Sequence, residues 1–594
     1  MTGGLIQIVA TGSQDQYLTC RPEITFFKIL HKRHTNFSIE TIEHSLNNID
    51  FGKNTNVQIL RNGDLCTKMY LKIKLNAVKL ALQHDHERLS VAWVRKLGHA
   101  LIKYVEVDIG GTKIDKHYGT WLDIWYELTH QNNHEKSYSN MIGDIPELTQ
   151  LKPVTSTVEK EIIGEHELLV PLQFWFNRNY GLALPLIALQ FHDVRLFFEF
   201  EEIHKLVIHS GDAQFDLKKF SMKDASLLVD YIYLDVDERK KFAQYGHEYL
   251  IEQVQFEGIQ TVQGSGSGKS ISDKFDLGFN HPTKELIWVL KNGAFNGESS
   301  RNFCSLGNRF LTYTHDDNQW EKALDYAAEN IARGMILFEE PTNDDVEYIT
   351  HDVSKQNPYI TYKENGYDLT VKFQFSEYIE SSIRVYIILN PLVENGCGKT
   401  YNLGKFIHRF NVLLTCESNE IIGYDVHIKK HNLNLNDVSI PLIDWTDYRS
   451  TTVNGINKYD VTVIQESNYG VRLDGKGNPI HEANIHLNGH DRFKLKNGNY
   501  FNYLQTYQHH THSPADGINI YSFAIYPEQF QPSGSVNLSR IDKTQLNIKF
   551  SDPYRANKNI PQLNLSRDSK FFVFALSSNI FRAYTGMGGC AYNS

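Results

Sequence analysis

The sequence predicts an all-β chain built from antiparallel sandwiches, and three observations carry that expectation. Apolar and polar residues alternate with a period of two in runs spread along the whole chain. Turn dipeptides, Asn-Gly, Asp-Gly and Gly-Gly among them, separate the runs. Helical periodicity is sparse, and aromatic residues reach 12%, with 32 Tyr and 33 Phe against 6 Met. Tyr and Phe suit half-buried pleated surfaces and subunit contacts. A length of 594 residues exceeds what one hydrophobic core usually supports, so more than one domain is expected.

Taken in order, the runs place the strands. Met69, Leu71, Ile73 and Leu75 share one face, with Tyr70, Lys72 and Lys74 on the other. Gly110-Gly111 joins residues 104–109 to 112–115 as a two-residue hairpin. Val194, Leu196, Phe198 and Phe200 alternate with Arg195 and Glu199. Residues 227–235 read as a strand, Asp237 as the cap of a short helix over DERKKFA, and residues 249–256 as a new β pattern. A boundary is therefore expected at 236–250. The best helical stripe joins Trp320, Leu324, Ala327, Ala328 and Ile331. Alternation returns at 520–526, 545–550 and 571–576. A strand with one apolar face is half buried, as in an antiparallel sandwich rather than a parallel α/β sheet. A faint echo links the run at 194–200 to the one at 545–550, and the greater length after residue 250 points to a large insertion within about 292–480.

Charge limits the partners. The chain has 60 Lys and Arg against 70 Asp and Glu, a formal −10. A protein that neutralises phosphates should show a basic face, whereas the compact cationic clusters here, residues 28–33 and 239–241, are short. Direct genome binding is not expected. No stretch reaches the ~20 apolar residues of a membrane helix, and the N-terminus lacks the positive region of a secretory signal. Cys20, Cys66, Cys304, Cys397, Cys416 and Cys590 form no CxxC pair, which argues against a structural zinc site or a dense disulfide framework.

Motifs that could carry chemistry have bland readings that weigh more. Residues 264–270, GSGSGKS, and 396–400, GCGKT, imitate a phosphate loop, but the required first glycine is replaced by Gln263 and Val393. His509, His510 and His512 form the densest histidine cluster, with His84 and His86 elsewhere. Neighbours in an extended chain point to opposite sides, so loop or interface contacts are favoured over metal binding. Pairs such as Asp235/Asp237 and Asp344/Asp345 lack evidence of a cleft separation that glycoside hydrolysis needs. No GxSxG elbow or HExxH helix occurs. Asn36, Asn537 and Asn564 stand in N-x-Ser sequons and are candidate glycosylation acceptors. No catalytic, cofactor or metal residue is assigned.

One stretch is specific for a different reason. Residues 523–542, FAIYPEQFQPSGSVNLSRID, pair an apolar strand with a turn built on Pro532, Ser533 and Gly534. It resembles the C-terminal signature of the major capsid proteins of nucleocytoplasmic large DNA viruses. Ordered blocks extend the resemblance: GGLIQIVATGSQDQYLT from residue 3, VEVDIGGTKIDKHYG from 105, NRNYGLALPLIALQFHDVRL from 177, DYIYLDVDERKKFAQYG from 230, FNHPTKELIWV from 279, LNGHDRF from 487, NYFNYLQTYQHHTHSPADGINIYSFA from 499 and GMGGCAY from 586.

The resemblance implies two tandem eight-stranded jelly rolls with long loop insertions and few short helices. Residues 1–24 would be an N-terminal arm, 25–235 the first jelly roll, 236–250 a linker, and 251–594 the second. It also implies a homotrimer, the capsomer, with pseudo-hexagonal outline, tiling an icosahedral virion shell without catalysis or cofactor. Implied partners are neighbouring capsomers, minor capsid, cement and penton proteins, an internal viral membrane on the N-terminal side, and surface glycans. Synthesis and assembly in the host cytoplasm or a viral factory are implied too. A carbohydrate-binding β protein and a P-loop enzyme are the competing readings, the latter opposed by Gln263 and Val393.

Overall fold

The computed structural model describes residues 3–84, 89–150, 152–211, 215–262, 272–291, 467–470, 477–550 and 569–592, with short strands between 336 and 429. The Trp320 stripe, both phosphate-loop imitations up to residue 399, Asp344/Asp345, His86 and Asn564 lie outside the described residues, as do Cys304, Cys397 and Cys416.

The N-terminal half folds as two facing four-stranded sheets. One runs in the order Phe37–Ser45, Met222–Leu234, Leu65–Leu75, His166–Pro171. The other runs Asn54–Ile59, Val194–Phe200, Ile102–Ile109, Thr112–Tyr118. Every pairing is antiparallel. Apart from the hairpin of Ile102–Ile109 and Thr112–Tyr118, consecutive strands of these two sheets alternate between them, the jelly-roll arrangement. The period-two reading holds at atomic level: Met69, Leu71, Ile73 and Leu75 are buried, and so are Val194, Leu196, Phe198 and Phe200. The hairpin forms at Gly110-Gly111, whose φ values of 64° and 81° are the left-handed ones such a turn demands.

The C-terminal half repeats the plan. His247–Phe256, Ser569–Tyr584, Pro282–Lys291 and Asn519–Ser522 lie side by side in a seven-stranded sheet. Ser272–Leu277, Thr544–Phe550, Ile480–Leu487 and His490–Asp491 line a five-stranded one. Val194–Phe200 and Thr544–Phe550 hold the same second place in their sheets, so the faint sequence echo has a structural counterpart. Among the described residues between 336 and 429, strands pair only with one another, in a three-stranded and a five-stranded sheet. No helix of the described residues is long and apolar enough to cross a membrane.

Three local expectations need correction. The helix after the first sandwich is Val236–Gln244, and its cap is Asp235, whose carboxylate accepts from the Val236 amide at 2.7 Å; Asp237 lies in the first turn. The run at 520–526 leaves the sheet at Ser522, because the amides of Phe523 and Ala524 both donate to the Lys284 carbonyl, at 2.8 and 3.1 Å. The run at 571–576 is not half buried: all six residues are buried, on both faces of the strand.

Candidate assembly site

That doubly buried strand explains how the halves join. Phe571, Val573 and Ala575 face the second sandwich's own core, together with Leu286, Trp288 and Leu290. Phe572, Phe574 and Leu576 point the other way and share a core with Val105, Trp121 and Trp175 of the first half. Ile287 and Val289 of the paired strand do the same, in register with Phe574 and Phe572. A single sheet is thus the wall between two cores. Tyr118 meets Phe256 edge-on at 4.8 Å, and Trp175 lies 6.0 Å from Phe581.

Charged groups are buried beside this wall in closed sets. The helix Gly119–Thr129 carries Asp123 among its apolar residues. Asp123 is bound by Lys96 at 2.6 Å and accepts from the Tyr469 hydroxyl at 2.7 Å, a bond reaching from the other half of the chain. Burial alone would raise the Asp123 carboxyl, but Lys96 and His99 outweigh it and hold it well below the usual carboxylate range. Lys96 also binds Glu127 at 2.5 Å. Farther along, Glu252 takes Arg178 at 2.6 Å from the first half and Lys284 from its own sheet. A groove of about 600 Å³ runs here, lined among others by Trp125, Arg178, Glu252 and Glu528. Two of its ionised groups are paired within the chain, Arg178 with Glu252 and Glu528 with His510, although Arg178 Nε is buried without a hydrogen-bond partner.

The histidine cluster and the signature stretch turn out to be one device. Ile525 donates its amide to the Ser533 carbonyl at 3.1 Å and Tyr526 donates to Ser533 Oγ at 2.9 Å, closing the turn. Gly534 has φ 128°, and a Cβ there would stand 2.8 Å from the Phe523 carbonyl. The closed loop presents Glu528, which accepts from His510 Nδ1 at 2.8 Å and from the Thr511 amide at 2.9 Å. His510 Nε2 donates to Glu285 at 2.9 Å, and the imidazole side chain is fully buried. Burial would lower its pKa, but the two carboxylates prevail and push it up to about 9. The three histidines diverge, but not by the alternation of an extended chain, because His509 ends the helix Gln505–His509. His509 Nδ1 donates to the Ile525 carbonyl at 2.9 Å, while His512 Nδ1 donates to the Glu127 carbonyl at 2.9 Å in the first half. Among the described residues no group of His, Cys, Asp or Glu is arranged to hold a metal; His84 is exposed.

The surface carries the remaining sequence candidates. Residues 3–36 are exposed throughout, including Leu5, Ile8, Phe26, Phe27, Ile29 and Leu30. The cationic cluster at 28–33 belongs to this segment, whereas Arg239 of the second cluster is bound to Asp64 at 2.9 Å. Asn36 is exposed, and so is Asn537, whose side-chain oxygen accepts from the Ser539 amide at 3.1 Å. Burial pushes the Cys590 thiol up to about 11 and Cys66 higher still, while Cys20 is exposed. Sequence reasoning missed Asp123, Glu252 and Tyr469. Asp123 had a signal, a carboxylate set between apolar residues of the helix segment WLDIWYEL; Tyr469 had none.

Two sandwiches fused through a common wall define the double jelly-roll class. Comparison with known proteins agrees. A family model described as "Major capsid protein N-terminus" matches residues 25–235, and one described as "Large eukaryotic DNA virus major capsid protein" matches 238–347 and 416–589. Capsid protein 1 of Acanthamoeba polyphaga mimivirus is 38% identical, and the major capsid protein of Phaeocystis pouchetii virus 34%, each over the full length of both chains. A quasi-atomic model of the PBCV-1 capsid superposes with a TM-score of 0.55 at 24% identity, covering 96% of this chain and all of that one. The Faustovirus major capsid protein gives 0.52 at 11% identity, covering 96% and 94%. The chain belongs to the family of large eukaryotic DNA virus major capsid proteins, a structural and non-enzymatic family of the virion shell.

Proposed function

We propose that this chain is the tile of an icosahedral shell, closing as a homotrimer into a pseudo-hexagonal capsomer. The observation that carries the reading is the shared wall. Each chain supplies two similar blocks locked side by side, so three copies place six blocks around one axis. Threefold closure uses heterologous contacts that end in a ring, and obligate contacts of this type bury on the order of 2,000–5,000 Å².

Residues 1–24 act as the arm, 25–235 and 251–594 as the two jelly rolls, and 236–250 as the linker, with an insertion within about 292–480 on the outward face. The arm lies on the inner side, against a neighbouring capsomer, a minor capsid protein or an internal membrane. Its exposed Leu5, Ile6, Ile8 and Val9 support that role, since apolar side chains at this density seek cover. Cement and penton proteins meet the tile at its edges. Asn36 and Asn537 are exposed acceptors for glycans, and Asn564 is the third candidate. The acidic balance agrees with a shell that does not touch the genome directly. Assembly takes place in the host cytoplasm or a viral factory.

Light scattering coupled to size exclusion, followed by electron microscopy of the purified chain, tests the tile. A stable trimer that packs into flat hexagonal arrays is expected; a persistent monomer with glycan affinity would replace the tile by a lectin.

A further inference from the structure

We propose that His130 and His512 form an acid-released clamp between the two sandwiches. His130 follows the helix Gly119–Thr129 of the first half, and its Nδ1 donates to the Tyr126 carbonyl at 3.0 Å. His512 comes from the other half and binds the same helix end twice. Its amide donates to the Leu128 carbonyl at 3.1 Å, and its Nδ1 to the Glu127 carbonyl at 2.9 Å. The two imidazole rings then lie 3.7 Å apart, centroid to centroid. Two neutral rings tolerate that spacing. Two imidazolium ions would repel strongly in a half-buried site.

The surroundings set the balance. Tyr126 stacks on His130 at 4.6 Å, and Tyr138 of the neighbouring helix stacks on Tyr126 at 3.7 Å, so two aromatic rings shield one side from water. Glu127 and Glu135 favour a charged His130, as does the carbonyl end of the helix. Glu127 is already held by Lys96 at 2.5 Å and accepts from the Ala515 amide at 3.3 Å. His99 binds the Tyr138 hydroxyl at 2.8 Å behind them, next to Asp123. Burial comes first and His512 adds to it, so the net effect lowers the His130 pKa below its ordinary 6.5. A group depressed in the closed form binds protons better when the clamp opens. The contribution is therefore complete above pH about 6.5 and is withdrawn as pH falls through the depressed value.

Two residues earlier the sense is reversed. His510 is a stable cation between Glu285 and Glu528 and holds the signature loop to its own sheet throughout that range. Acid would free residues 512–516 from the helix end while leaving the loop in place. Local opening of this kind is drawn from contacts with few buried apolar partners, which fits a segment tied mainly by hydrogen bonds.

Hydrogen–deuterium exchange on the full chain at pH 7.5 and pH 5.0, corrected for intrinsic exchange, tests the clamp. Peptides spanning residues 510–516 should lose protection severalfold at pH 5.0, because the open form takes up the proton that the closed ring pair resists. Peptides over residues 525–530 should keep theirs. His130→Gln and His512→Gln should each abolish the pH effect, and the first leaves the His512 bonds intact should the second fail to fold. Unchanged protection in the natural chain, an equal loss in either variant, or loss over both peptides together would overturn the proposal.

Discussion

Trp121 and Phe574 stand 5.5 Å apart, ring centroid to ring centroid, although one belongs to the first sandwich and the other to the wall of the second. Replacing Phe574 by Ala should cost about 3–5 kcal/mol, the range for deleting a buried aromatic. Because the ring serves the seam, scanning calorimetry is expected to resolve two transitions in Phe574→Ala where the natural chain shows one. A single, merely lowered transition would mean that the sandwiches are not coupled through this contact.

Gly110 and Gly111 share a left-handed backbone but differ in surroundings. A Cβ at Gly110 would overlap the His192 ring, whereas one at Gly111 meets open space. Gly111→Ala should therefore cost about 1–2 kcal/mol from backbone conformation alone. Gly110→Ala should cost at least about 1 kcal/mol more, the usual scale of overpacking. Urea midpoints of the two variants, compared at equal m-values, decide the matter.

His510 makes alkaline pH a threat to the signature loop. Its folded pKa is raised, so its stabilisation is whole below pH about 6.5 and is lost as pH climbs through about 9. At neutral pH the contribution is on the order of 2–3 kcal/mol. Melting temperatures measured from pH 6 to pH 10 should fall along that titration, and His510→Gln should flatten the alkaline limb. An identical limb in the variant would assign the loss to other groups.

Tyr469→Phe removes one hydroxyl from a buried carboxylate. Loss of a hydrogen bond to a charged group should cost about 1.5–3 kcal/mol. Asp123→Asn should cost more, about 3–5 kcal/mol, because Lys96 then lies buried with only Glu127 to offset it. Chemical denaturation of both variants checks the ranking; the reverse order would contradict the ion pair's dominance.

Strands with one face to water could be read directly from the sequence. Leu65–Leu75, Val194–Phe200 and Thr544–Phe550 alternate because their outer side chains are only partly covered. The wall strand defeated that logic, since FFVFAL is apolar at every position and serves two cores at once. The Asp235 cap was missed by two residues because Asp237 sits equally well before a polar run, and only backbone geometry separates them. The tie between the histidines and Glu528 was invisible for another reason: both motifs were noticed, but nothing in spacing says that His510 turns inward while His509 and His512 reach elsewhere.

Ser569–Tyr584 pairs with both His247–Phe256 and Pro282–Lys291. A ribosome adding about 5–20 residues per second delivers it long after those partners have emerged. Until it inserts, the middle of the wall is vacant and neither hydrophobic interior is sealed. Maturation of the tile therefore waits on translation of its C-terminal region, and nascent chains stalled before residue 569 should be the ones that chaperones hold.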